Sequence, residues 1–133
     1  MREIKFRGKC SQSKRWVYGW LLTNKLGTYI VTEENPHECT QNHYIEIDEY
    51  CRVVPSTVGQ YTGLRDKNGK EIYEGDIVLA TLKFFNINNE KCKVIFHNGS
   101  FGVQYGFSTD YFKTFSAWDE VEVIGNIHDN PER

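Results

Sequence analysis

No stretch of this 133-residue chain stays apolar for long: runs such as Ile77-Val78-Leu79-Ala80 end after a few residues, whereas a membrane-crossing helix needs roughly 20. That excludes a spanning helix. The opening residues, MREIKFRGK, are charged and alternating, with no apolar stretch behind them to serve as a secretory signal, so a cytoplasmic location is expected. Cysteine is sparse: Cys10, Cys39, Cys51 and Cys92 are scattered without a CxxC pair. In a cytosolic protein this points to reduced, mostly structural thiols and away from disulfides. No nucleophile elbow, HExxH, P-loop or GxGxxG frames a catalytic set, so neither an enzyme nor a cofactor is expected. Internal repeats, low-complexity tracts and Ser/Gly linkers are also missing, which leaves one domain over residues 1–133 as the expectation.

What is present reads as β-structure. Aromatic residues make up 14% of the chain, β-branched residues cluster in short runs, and Gly- or Asn-rich breaks recur between them, as in an antiparallel β domain with at most one or two short helices. Ile4 to Arg7 alternates as a half-buried strand should. Trp16 to Leu22 carries bulk on both faces, with Gly19 marking a bulge or a close backbone approach, and is expected to pair with Thr28 to Val31. Residues 32–50 turn acidic and irregular around Asn35-Pro36 and read as a long surface loop with at most a turn of helix. Cys51 to Val54 is a short strand ended by Pro55. Strands follow at 76–82, 92–96, 100–105 and 121–127, with a tight turn at His97-Asn98-Gly99. Tyr111, Phe112, Phe115 and Trp118 suit a short amphipathic helix capped by Ser108 or Thr109, with an aromatic strand as the alternative. The rhythm favours a closed or nearly closed, barrel-like sheet.

The segment QYTGLRDKNGKEIYEGDIV, residues 60–78, is the clearest local signal. Asp66-Lys67-Asn68-Gly69 suits a type I turn followed by a G1 bulge, with a two-residue type I′ turn as the alternative. Leu64 and Ile72 would cover one core from the two arms. Glu74-Gly75-Asp76 then reverses the chain, and Glu74, Asp76 and Asp66 fit backbone-capping roles better than paired catalytic carboxylates. This segment, with MREIKFRGK, WVYGWL, VVPSTVGQ and VEVIGNIHDNPE, closely resembles the YopX-like proteins of bacteriophages and prophages. The family pattern has Ala-Trp after the opening Arg where Gly8-Lys9 stands here. The resemblance implies an all-β, barrel-like fold encoded in phage or prophage DNA, and no established activity.

Two binding functions then compete. The net charge of −2 hides an asymmetry: Arg2, Lys5, Arg7, Lys9, Lys14, Arg15 and Lys25 face one acid, Glu3, while residues 32–50 hold six acids and no Lys or Arg. The basic region, interleaved with Phe6, Trp16, Tyr18 and Trp20, has the ingredients of a single-strand nucleic-acid platform. It also suits attraction to the acidic segment within the fold. Arg2, Lys5, Arg7, Lys9, Lys14, Arg15, Trp16 and Tyr18 are therefore the candidate surface. The leading expectation is a non-enzymatic interaction module that docks on a host or phage protein, or on itself, through sheet edges or aromatic patches; nucleic-acid binding is the alternative. His37, Cys39, His43 and Cys51 are residues that zinc accepts, but the spacing matches no standard zinc module, so no metal is expected.

Overall fold

The computed structural model describes residues 4–32, 37–39, 44–46 and 50–129, the two short stretches at 37–39 and 44–46 by backbone alone. The chain forms two compact units, residues 1–60 and 61–133.

In the first unit, β1 (Phe6–Lys9), β2 (Trp16–Asn24) and β3 (Gly27–Val31) follow one another as antiparallel hairpins. The turn between β2 and β3 is held by Asn24, whose Oδ1 accepts from Leu26 N at 2.8 Å and Gly27 N at 3.2 Å, a local bond that short polar side chains make readily. After β3 the chain forms a separate small hairpin, β4 (His37–Cys39) and β5 (Tyr44–Glu46), paired antiparallel. This corrects the expectation of an irregular loop: six residues of the acidic segment pair as strands, and an alternating HEC and YIE pattern is enough for a short ladder. β6 (Tyr50–Arg52) then pairs with β3, and the first two residues of β7 (Gly59–Arg65) pair with β1. The order is β6-β3-β2-β1-β7. Ile30 and Val53 are buried, and a Cβ at Gly8 would stand 3.0 Å from Val53 Cβ. Gly19 is a close backbone approach: a Cβ there would collide with the Val31 carbonyl.

The second unit contains the rest of β7, β8 (Glu71–Tyr73), and a five-stranded antiparallel sheet of β9 (Asp76–Leu82), β10 (Ile87–His97), β11 (Ser100–Gln104), β12 (Phe112–Thr114) and β13 (Glu120–Asn126), ordered β12-β11-β10-β9-β13. Each sheet order ends on two different strands, and closing a barrel requires those end strands to pair. The architecture is thus mostly β with two antiparallel sheets, and the barrel-like expectation is corrected. Val78, Ala80, Val94 and Val103 are fully buried at the centre of a core with Ile72, Leu82, Ile87 and Trp118. The tight turn expected at 97–99 forms between β10 and β11 with Asn98 and Gly99 at its tip, at φ +51° and +81°.

The β7–β8 turn forms as its residues require. Gly69 sits at φ +85°, and Asp66 Oδ1 accepts from Asn68 N and Lys70 N, each at 2.9 Å. Its Oδ2 accepts from Val123 N at 2.9 Å, fastening the turn to β13. Burial alone would raise the Asp66 pKa, but these three backbone donors together outweigh it and hold the carboxyl below its usual range. Asp76 is buried and accepts from Tyr73 N at 2.8 Å, with Gly75 at φ +94°; both act as the turn-holding residues expected. Leu64 departs from expectation. Between the Tyr61–Tyr73 and Arg65–Glu71 pairs, three residues of β7 oppose only Ile72, Gly63 lies at φ +89°, and Thr62 Oγ1 donates to Ile72 O at 2.8 Å. This bulge re-aims the strand, leaving Leu64 exposed while Ile72 is buried.

Residues 109–118 correct the helix expectation too. Ser108 Oγ accepts from Asp110 N at 3.3 Å, a turn rather than a helix cap; Phe112–Thr114 pairs with β11, as the strand alternative has it, and Phe115–Ala117 makes one 3-10 turn. Trp118 reaches the core from there, its Nε1 donating to Lys113 O at 3.2 Å.

Two outcomes follow. Asp66→Asn places an amide where Oδ2 receives the Val123 N–H and is expected to destabilise the protein by about 2 kcal/mol in urea unfolding. Because the folded pKa is lowered from the ordinary 3.8, the carboxylate's contribution is complete above that unfolded value and is lost as pH falls through the folded one. The variant is therefore expected to show a shallower loss of stability on acidification below about pH 4. Gly19→Ala is expected to cost at least about 2 kcal/mol, since the obstacle is backbone that cannot move aside cheaply.

Candidate interaction surfaces

Residues directly opposite in an antiparallel pair share a face. The register Arg7–Tyr18 and Lys9–Trp16 therefore puts four of the sequence-predicted residues on one face of the first unit's sheet. The Arg7 guanidinium lies 4.8 Å from the Trp16 ring centroid and Lys9 Nζ 5.7 Å from it, both within cation–π range. Arg7 is only 6% exposed, so this group is packed rather than an open phosphate-binding platform. Lys5 lies just before β1, half-buried; Lys14 and Arg15 are exposed in the β1–β2 loop, where Lys14 Nζ donates to Ser11 O at 3.0 Å. Arg2, His43 and the side chains of His37 and Cys39 lie outside the described residues.

The same face continues across the sheet in apolar form. Trp20 opposes Val31, Leu22 opposes Tyr29, and the next strand sets Tyr50 against Val31 and Arg52 against Tyr29. Leu22, Asn24, Leu26, Tyr29, Val31 and Tyr50 line a shallow pocket of about 300 Å³. The Tyr29 and Tyr50 rings meet edge to face at 5.8 Å. Tyr18, Trp20, Leu22, Leu26 and Tyr50 are all exposed, Leu26 at 76%. Arg52, at the rim with its guanidinium beside Gly27, makes no ion pair among the described residues. The sequence reading put Trp16 and Tyr18 in the candidate surface but missed Leu22, Leu26, Tyr29 and Tyr50, which complete this patch. The available signal was the double-sided bulk of WVYGWLL.

A second concavity lies in the second unit and had no sequence signal. Ile77, Lys91, Lys93, Gln104, Tyr105 and Phe107 help to line a cleft of about 600 Å³, within the usual range for ligand sites. Lys93 opposes both Ile77 and Gln104, and Lys91 opposes Leu79, so the two lysines share a face. Neither makes an ion pair among the described residues. Glu122, on the same face across Leu79, is paired with Lys67 at 3.8 Å. Phe107 is fully exposed at the rim, while Tyr105 packs edge to face with Tyr111 and Trp118. Lys91 and Lys93 alternate with Cys92 and Val94, which read as the buried half of the strand; nothing in sequence brings Phe107 to them.

Among the described residues no helix is long and apolar enough to cross a membrane. No curated protein matches the chain. The crystal structure of protein EF1440 from Enterococcus faecalis is similar, at 27% identity and a TM-score of 0.66, over 99% of this chain and 98% of that one. The model of the YopX protein family matches residues 5–133, nearly the whole length, and the chain belongs to that family.

Proposed function

We propose that this protein is a non-enzymatic adaptor, encoded by a phage or prophage and acting in the host cytoplasm, that docks on a host or phage protein through the aromatic face of its first unit. The observation that carries this reading is the exposure of Tyr18, Trp20, Leu22, Leu26 and Tyr50 around one apolar pocket. Exposed apolar patches rimmed by polar groups mark interaction sites, and Trp and Tyr anchors dominate interface energetics. Arg52 at the rim favours an amphipathic partner segment that presents apolar side chains beside a carboxylate. A second copy of the chain is the other occupant to test, by light scattering.

Trp20→Ala and Tyr50→Ala are each expected to weaken binding of a partner recovered by the native protein at least about 10-fold in titration calorimetry, with unchanged circular dichroism. Equal affinity of both variants for every recovered partner would overturn this reading.

The cleft in the second unit favours a second reading, single-stranded nucleic acid with phosphates on Lys91 and Lys93 and a base stacked on Phe107. It moves the nucleic-acid alternative away from Arg7 and its neighbours. Fluorescence anisotropy with a labelled oligonucleotide at low ionic strength tests it. Lys91→Ala with Lys93→Ala should flatten the dependence of log affinity on log salt by roughly 0.7 per lysine removed, and Phe107→Ala should weaken binding by about 1–3 kcal/mol. No binding by the native protein would dismiss it.

A further inference from the structure

Cys10 and Cys51 are 41 positions apart in sequence and meet in the first unit. Cys10 follows β1 and forms an isolated antiparallel bridge with Val53, and Ser11 N donates to Arg52 O at 2.9 Å, so the residues after β1 run alongside β6 and its continuation. Cys51 stands diagonally across that pairing. Its Sγ lies 2.7 Å from Cys10 Sγ, within about 0.7 Å of a disulfide bond length. Both thiols are free in the structure, with Cys10 9% exposed and Cys51 more so.

From this geometry we infer that Cys10 and Cys51 form a reversible thiol–disulfide site, with Cys10 as the attacking sulfur and Cys51 as the resolving one. The surroundings divide the roles. The Cys51 thiol donates to the Cys10 sulfur, and Ser13, by side chain and backbone, and the Gln12 backbone add further donors, lowering Cys10 to about 6. Burial, then the neighbouring Cys10 sulfur, pushes Cys51 up to about 11. A low-pKa thiolate beside a protonated partner is the arrangement of redox-responsive cysteine pairs. Cys92, in the other unit's core, is the contrast: its pKa is raised to about 11, by burial first and Glu90 second.

The oxidant is a small disulfide such as glutathione disulfide. The Cys10 thiolate attacks one of its sulfurs, the S–S bond breaks, and one thiolate leaves, giving a mixed disulfide on Cys10. Cys51 then gives up its proton to solvent and attacks the Cys10 sulfur, expelling the second thiolate. The net change is two protein thiols oxidised to one disulfide and one small disulfide reduced to two thiols. The new bond would fasten the edge strand β6 to the β1–β2 loop.

The test equilibrates the full-length native protein with glutathione disulfide and maps linked peptides by mass spectrometry before and after dithiothreitol. A Cys10–Cys51 linkage that dithiothreitol reverses is expected, with alkylation of Cys10 by iodoacetamide rising through a midpoint near the lowered value quoted above. Cys51→Ala should halt the reaction at glutathionylated Cys10 and shift its alkylation midpoint upward, with circular dichroism confirming the fold. Absence of the linkage, linkage through Cys39 instead, or an ordinary alkylation midpoint for Cys10 of about 8.5 would overturn the inference.

Discussion

Successive side chains of a β-strand point to opposite faces, so a strand with bulk on both faces can bury only one side in its own core. β2 is such a strand. Trp16, Tyr18, Trp20 and Leu22 lie on one side, and Val17, Gly19 and Leu21 on the other. On the second side Ile30 and Val53 are buried, where Gly8 and Gly19 let neighbouring chain segments close in, while Leu21 stays exposed. The first side is left with Tyr18, Trp20 and Leu22 in solvent. Their exposure carries a hydrophobic cost of roughly 25 cal/mol per Å² of apolar surface, which covering by a partner would recover. The proposed docking role rests on that residue of unburied aromatic surface.

The second unit buries one contiguous core, and its chain reversals need anchoring. One carboxylate does much of this. Asp66 takes three backbone donors, two from its own turn and one from β13, and so links a hairpin tip to a strand more than fifty residues later. Asp76 repeats the device at the next reversal. Both acids thereby hold backbone donors at chain reversals.

Legibility in the sequence followed locality. The turns at 66–69 and 98–99 were readable because Asp, Asn and Gly have specific backbone uses within four residues. The strand 76–82 was readable as a short apolar run that follows a turn, and 92–96 because buried Cys92 and Val94 flank exposed Lys93. Leu64 was misplaced because the bulge around Gly63 depends on Thr62 reaching Ile72 O, a contact ten residues away. The 109–118 helix failed because Tyr111, Phe112, Phe115 and Trp118 satisfy a helical spacing, yet pairing of 112–114 with β11 outweighs it. The candidate surface was half legible. Arg7, Lys9, Trp16 and Tyr18 do converge, but Tyr29, Tyr50 and Arg52 join their face only through strand pairings that sequence does not reveal, and the meeting of Cys10 with Cys51 rests on the same pairings.

The central claim is that the face bearing Trp20 and Tyr50 is covered by a partner protein. Its most direct measurement is site-specific photo-crosslinking in the host, with a photoreactive phenylalanine in place of Tyr50 and, as the reference position, of Phe96 in the second unit. A discrete adduct with one protein from position 50, absent from position 96, is expected, with the crosslinked peptide carrying apolar residues beside a carboxylate. Identical adducts from both positions, or none from position 50, would contradict it.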